Sequence, residues 1–123
     1  MKKYLCLAYE EQKILDELSS DEWTALRAET LAYVAVLEKM GRLVRTNALQ
    51  SARTAKTVRV RGGERSVLDG PYAETKEQLG GFFLIEAKDL DEAVELASRW
   101  PSARFGSIEV RPIEDALRED RRY

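Results

Sequence analysis

A run of four apolar residues, Phe82-Phe83-Leu84-Ile85, limits the possible folds more than any other part of this sequence. Successive side chains of a strand point to opposite faces, so a half-exposed strand alternates apolar and polar residues. This run is apolar at both parities, which predicts a central strand covered on both faces. Two long helical segments are available to cover one face, so we expect a second subunit to cover the other.

The rest of the chain predicts two helices and further strands. Ser19-Ser20-Asp21-Glu22 has the pattern of a capping box and begins a long helix that Gly41 ends. A second helix begins at Asp89 and stops at Pro101. Strands are predicted over 3–9, 43–49, 57–61, 64–69 and 105–113. This order describes a single α+β domain over 1–123, a sandwich with helices on one face of a mostly antiparallel sheet.

A hairpin register follows from two glycines. Gly62-Gly63 separates two strand-like segments and predicts a two-residue turn. Counting outward from that turn pairs Lys56 with Asp69 and places Asp69 on the same face as Val58. We therefore expect a buried or half-buried carboxylate beside apolar surface, and such a carboxylate needs a partner.

Residue types that are missing exclude several kinds of site. The 123 residues include no histidine and one cysteine, Cys6. Ser-His and Cys-His catalysis, histidine metal sites and an intrachain disulfide are therefore excluded, and we expect no metal and no cofactor. Cys6 lies within an apolar strand and is interpreted as a small buried hydrophobic residue.

Charge and hydropathy set the expected environment. The net charge of −2 gives no reason to expect nucleic acid or an anionic membrane as a partner. The first apolar run, Tyr4 to Tyr9, is shorter than a secretory signal requires. These features predict a cytoplasmic protein. The basic residues around the hairpin are interpreted as a solvated strand face; they are Arg53, Lys56, Arg59, Arg61 and Arg65.

The polar connection before the central strand carries the most distinctive motif. It reads Asp69-Gly70-Pro71-Tyr72, then Ala73-Glu74-Thr75-Lys76-Glu77-Gln78, then Gly80-Gly81. These residues resemble the signature of the DGPF-type subgroup of the YCII-related family, with Tyr72 where the pattern has Phe. Further matching blocks lie at 4–7, 80–86, 89–93 and 106–113, so the resemblance covers Tyr4 to Ile113.

The resemblance implies a ferredoxin-like two-layer sandwich, usually a homodimer whose two sheets face each other as a dimeric α/β barrel. It also implies an association with extracytoplasmic-function sigma factors. Some relatives outside the subgroup are thought to act through a His-Asp pair. This chain has no histidine, so that mechanism is not transferred.

Three interpretations of Asp69 stay open. It is a turn residue that accepts hydrogen bonds from nearby backbone amides. Alternatively, it lines a small-molecule pocket at the sheet and dimer interface. In the third interpretation Asp69 is the acid or base of a cofactor-independent enzyme, which catalyses proton transfer, elimination or isomerisation of a small ring or acid. The remaining ligand-binding candidates are Lys56, Tyr72, Glu74, Glu109 and Arg111.

The sequence thus favours a small-molecule-binding or regulatory protein with a site near Asp69. An enzyme is the first alternative, and a sigma-factor-associated interaction module is the second.

Overall fold

The computed structural model describes residues 1–114, so nearly all of the predicted charged tail, 114–123, lies outside the described residues. The main elements are, in chain order, β1 (Lys2–Glu11), α1 (Gln12–Asp16), α2 (Ser20–Lys39), β2 (Leu43–Ala48), β3 (Lys56–Arg61), β4 (Glu64–Asp69), β5 (Glu77–Ala87), α3 (Leu90–Ser98) and β6 (Ser107–Pro112). Short 3-10 turns lie at Ala52–Thr54 and Pro101–Arg104.

The strands form two separate antiparallel sheets. A four-stranded sheet has the order β2-β5-β1-β6, and β3 and β4 form a hairpin of their own. The larger sheet packs its buried side against α2 and α3. This α+β arrangement is compatible with a ferredoxin-like sandwich, into which the hairpin is inserted between β2 and β5. The predicted central position of the Phe82–Ile85 run is confirmed, because β5 pairs with a strand on each side.

Aromatic rings hold the helices to the sheet. The ring of Trp100 stacks on that of Phe83 with centroids 4.0 Å apart, and the ring of Tyr33 meets Trp100 edge-on at 6.2 Å. The Tyr33 hydroxyl donates a hydrogen bond of 2.5 Å to the carbonyl oxygen of Leu96. Such aromatic pairs contribute about 1 kcal/mol each beyond the area they bury. This cluster therefore joins α2, the end of α3 and β5.

The predicted ends of α2 are confirmed. Ser19 Oγ accepts from the amide of Glu22, and Glu22 Oε1 accepts from the amide of Ser19, which completes the capping box. At the other end Gly41 has φ 70°, and the amide of Arg42 donates to the carbonyl of Leu37. A left-handed residue at this position favours glycine.

The apolar side chains of α2 are only partly buried. Leu37 is fully buried, whereas Trp23 is 46% exposed, and Val36 and Met40 are also exposed. Side chains at 33 and 34 pack against the core, but the N-terminal half of the helix stands away from the sheet. The helix therefore rests on the sheet mainly around Leu37.

The hairpin has the register that the glycines predict. Lys56 pairs with Asp69, and both Gly62 and Gly63 have positive φ, 57° and 79°. Two consecutive positive φ values are typical of a type I′ turn, whose twist matches that of the strands. The hairpin is exposed along nearly its whole length.

The sheet face away from the helices is apolar in its middle. Leu5 pairs with Leu84, and Leu7 pairs with Phe82. Strand alternation places these side chains on the opposite face from the buried residues Cys6 and Phe83. The four side chains of the two pairs are half-buried. The expected dimeric barrel would cover this face; with one chain described, the barrel stays a prediction.

Two leucines of α2 test which part of the helix supports the fold. We expect Leu37→Ala to lower the free energy of unfolding by about 2–5 kcal/mol, because it leaves a cavity in a fully buried place. Leu31→Ala makes the same chemical change at a position that is 55% exposed, and should cost about 0.5 kcal/mol or less. Urea unfolding of both variants measures the difference, and equal costs would contradict this packing.

Candidate functional site

The structure places four of the six predicted site residues on two separate sheets. Asp69 Oδ1 pairs with Lys56 Nζ at the open end of the hairpin, and the Asp69 side chain is 85% exposed. Glu109 and Arg111 lie on β6 and pair with each other at 2.5 Å. The structure thus brings together the two members of each pair, but not the two pairs.

The remaining two candidates lie in the connection between β4 and β5. Tyr72 is 80% exposed, with the Arg59 guanidinium 5.9 Å from its ring centroid, and Glu74 is also exposed. The expectation that Asp69 is half-buried is wrong for the single chain, because the hairpin stands apart from the four-stranded sheet. Whether these residues bind a ligand or catalyse a reaction stays a prediction.

Several motif residues shape the backbone of this connection. Gly70 has φ 102°; its amide donates to the carbonyl of Ala55, and its carbonyl accepts from Thr57 Oγ1. The Gln78 side-chain amide donates to the carbonyls of Thr75 and Ala73 at 2.7 and 3.1 Å. These bonds close the base of the hairpin and fix the path into β5.

A cavity of about 900 Å³ lies elsewhere, between the N-terminal half of α2 and the helix-facing side of the sheet. We call it the α2 pocket. It exists because α2 leaves the sheet on the N-terminal side of Leu37. Its volume falls in the range of roughly 300–1,000 Å³ typical of ligand pockets. Its apolar lining residues include Ala8, Leu15, Trp23, Leu26, Leu31, Val34, Ala48, Leu49 and Trp100.

Glu10 brings a carboxyl group into this pocket. The pairing of β1 with β5 shifts after Ala8, so Tyr9 pairs with Leu79 and Gly80 is the extra residue of a bulge. A Cβ added to Gly80 would lie 2.4 Å from Glu10 Oε2. The carboxyl group therefore occupies the space that a side chain at position 80 would need, and this gives one glycine of the motif a role in the pocket.

Burial raises the pKa of the Glu10 carboxyl group, and the neighbouring Ser102 hydroxyl offsets part of that shift. The hydroxyl is close to Glu10, yet its buried Oγ has no hydrogen-bond partner of normal geometry among the described residues. Ser102 is 5% exposed and also lines the pocket. The pocket thus holds two desolvated polar groups side by side.

The other carboxyl groups of the described chain whose pKa departs from its ordinary value have a lowered pKa. Hydrogen bonds from Gln12 and Arg53 lower the pKa of Asp16, and an Arg104 hydrogen bond lowers that of Glu29. Hydrogen bonds from Arg42 and from the backbone of Lys88 lower the pKa of Glu92. The pKa of Glu22 is lowered by its own capping bonds with Ser19. Glu10 differs because burial, rather than a charge partner, dominates its surroundings.

Sequence reasoning did not identify Glu10 or Ser102 as site residues. A signal for Glu10 existed, because Tyr4, Cys6 and Ala8 alternate on the buried face and Glu10 is the next position of that series. The sequence predicts that the strand ends at Tyr9, two residues before its end at Glu11. Ser102 follows Pro101 in a 3-10 turn, and no local pattern indicates its burial.

Cys6 has the predicted role of a small buried hydrophobic residue. It is fully buried, and desolvation raises the pKa of its thiol to about 12. A thiol with that pKa is not a nucleophile near neutral pH. Within 1–114, no three acidic or cysteine side chains form a group that could hold a metal ion. None of the helices described there is long and apolar enough to cross a bilayer.

Comparison with known proteins finds the YCII-related domain, whose family model matches residues 2–116. The chain is also similar to a protein of Rhizobium meliloti (strain 1021) named Uncharacterized protein R00369. The two sequences are 37% identical over 112 residues, which cover 89% of this chain and 90% of that protein. The narrower DGPF-type assignment stays a prediction.

The raised pKa of Glu10 predicts a pH-dependent stability difference. The folded protein binds this proton more tightly than the unfolded chain, so the ionised carboxylate opposes folding above the unfolded pKa of about 4.5. Relative to wild type, Glu10→Gln should gain stability as pH rises through this window, with little difference near pH 4. Urea unfolding from pH 4 to 8 measures it.

Glu29→Gln provides a control of opposite sign. Its pKa is lowered by Arg104, so the ion pair stabilises the fold above the unfolded pKa and this contribution is lost as pH falls. This variant should therefore lose stability relative to wild type as pH rises. A Glu10→Gln difference that is the same at every pH would contradict the burial of this carboxyl group.

Proposed function

This chain belongs to the YCII-related domain family, and we propose that it binds a small organic molecule in the α2 pocket, the space left because α2 stands away from the sheet. The observation that carries the proposal is a cavity of about 900 Å³ with mostly apolar walls and two adjacent desolvated polar groups, Glu10 and Ser102. Ligand sites commonly combine apolar walls with a few convergent polar groups.

The desolvation of Glu10 supports a functional role more than a structural one. A carboxyl group placed in apolar surroundings costs free energy unless charges or hydrogen bonds compensate it. Glu10 makes no ion pair among the described residues, and the Ser102 hydroxyl compensates it only in part. Displaced pKa values of this kind are concentrated at binding and catalytic sites.

Cofactor-independent proton transfer in the same pocket is a second candidate, and the raised pKa of Glu10 favours it. A general acid or base works best when its pKa lies close to the working pH, and burial moves a carboxyl group in that direction. Glu10 would then take the role that the sequence assigned to Asp69.

The site around Asp69 remains a separate proposal. The hairpin face that Asp69 shares with Val58 and Val67 is exposed in the single chain, and a partner subunit or a regulatory protein would bury it. Association with a sigma factor would use this region, together with the basic side chains of the hairpin.

Variants that fill or spare the α2 pocket test the main proposal. We would screen small aromatic acids, phenols, lactones and amines by thermal shift. A compound present at a hundred times its dissociation constant should add about 2.7 kcal/mol of stability. Leu26→Trp should weaken that stabilisation by narrowing the pocket, whereas Asp69→Asn should keep it.

Leu68→Trp is the matched control, because it places the same side chain on the exposed hairpin. It should bind like wild type. Loss of binding in Asp69→Asn with retention in Leu26→Trp would move the site to the hairpin and refute the proposal for the α2 pocket.

We also propose that the open sheet face forms a homodimer. The apolar pairs Leu5 with Leu84 and Leu7 with Phe82 would meet their counterparts across a two-fold axis. Sedimentation equilibrium at micromolar concentration should give twice the chain mass of 14.0 kDa.

Leu84→Arg should reduce that mass to one chain, because it puts a charge in the centre of the proposed interface. Leu68→Arg on the hairpin should leave the dimer intact. A wild-type mass of 14.0 kDa would contradict the dimer.

A further inference from the structure

We infer that the molecule bound in the α2 pocket is an amine with an apolar body, whose ammonium group is held by Glu10 and Ser102. This inference rests on the proposed binding function and adds the chemical class of the ligand. It derives from the positions of these two side chains and from the charges that surround them.

The Glu10 carboxyl group has a defined position in the pocket, but no cation of the described residues pairs with it. Glu10 faces the space that Gly80 leaves open, and Ser102 lies beside it. The neighbouring Glu11 has a cation within reach, since its Oε2 is 3.9 Å from Lys76 Nζ. No such pair is formed by Glu10 among the described residues. A built-in carboxylate without a cation is complementary to a cationic ligand.

The charged groups that face Glu10 from the packed elements are few. Of the charged residues of α2, only Arg27 lines the pocket, and it is exposed. The residue of β5 that pairs with Glu10 is the uncharged Gln78. The 3-10 turn after α3 contributes Ser102 to the pocket. The inner end of the pocket therefore has an acidic group, while the one basic side chain that lines it within residues 1–114 is exposed to solvent.

An ammonium group fits both polar atoms at once. It carries three donors and no acceptor, an ionised carboxylate accepts only, and a serine hydroxyl has lone pairs that can accept. One ammonium could therefore bond to Glu10 and to Ser102 Oγ, which has no other hydrogen-bond partner within residues 1–114. A neutral alcohol would offer one donor and no charge. An anion would be repelled by Glu10.

The walls of the α2 pocket indicate the chemistry of the rest of the ligand. Trp23, Leu26, Val34 and Trp100 surround the space beyond Glu10. Apolar walls of this kind suit an aromatic or aliphatic body. A polar amine with no such body would leave these surfaces in water.

A matched series of indoles tests the inference, namely tryptamine, tryptophol and indole-3-propionate, which share the ring and a two-carbon chain. By isothermal titration calorimetry at pH 8, tryptamine should bind wild type at least about tenfold more tightly than tryptophol. Indole-3-propionate should bind more weakly than either.

Two variants and one control assign the preference to its residues. Glu10→Gln keeps the size of the side chain and should abolish the preference for tryptamine, while tryptophol changes by about threefold or less. Glu11→Gln is the matched control and should keep the preference, because Glu11 pairs with Lys76. Ser102→Ala should reduce the preference without abolishing it.

The pH dependence gives an independent readout. Protonation of Glu10 competes with the ammonium, so tryptamine affinity should fall as pH drops below the raised pKa of this carboxyl group. The loss should approach about tenfold per pH unit, and it should be absent in Glu10→Gln. Tryptophol affinity should not fall in this way.

Each other outcome overturns the inference. Equal binding of tryptamine and tryptophol to wild type would do so, as would a preference that survives in Glu10→Gln. Tightest binding of indole-3-propionate would make Arg27 the anchor instead. In these cases the α2 pocket would still bind ligand, and the proposed function would stand. If neither the indoles nor the wider screen stabilise wild type, the proposed function fails and the inference fails with it.

Discussion

The stack of Trp100 on Phe83 is the contact on which the rest of this structure depends. Trp100 lies where α3 ends and the 3-10 turn begins, and Phe83 is on the central strand. Tyr33 adds α2 to the same cluster through its ring and its hydroxyl. Both helices are thereby fixed to the central strand of the sheet. The N-terminal half of α2 extends beyond this attachment, and the α2 pocket is the space beneath it.

The carboxyl group in the pocket and those on the protein surface have different electrostatic surroundings. Exposed carboxylates such as Glu29 and Asp16 have guanidinium partners that favour their ionised form. Glu10 has an apolar environment that favours its neutral form. Gly80 links this group to the motif between β4 and β5, since a side chain there would displace the carboxylate. One glycine of the motif thus makes room for Glu10 in the pocket, although the acidic residue at the start of the motif lies in solvent.

Local sequence signals predicted local structure well. The capping box at Ser19, the helix end at Gly41 and the pairing of Lys56 with Asp69 each depend on a few neighbouring residues, and the structure has all of them. The pocket depends on the distance between α2 and the sheet, which is set by packing far from the residues that line it. The burial of Asp69 was misjudged for the same reason, because hairpin register does not determine where a hairpin lies.

The order of strands in the larger sheet has a consequence for folding during synthesis. Strand β1 is made first, but both of its neighbours, β5 and β6, come from the second half of the chain, and Lys2 pairs with Ala87. Long-range pairings of this kind form slowly, because distant parts of the chain must meet first. The hairpin and α2 need only nearby residues. The apolar strand β1 therefore has no partner strand during synthesis until β5 has emerged, and an exposed apolar strand of this kind is prone to aggregate in that interval.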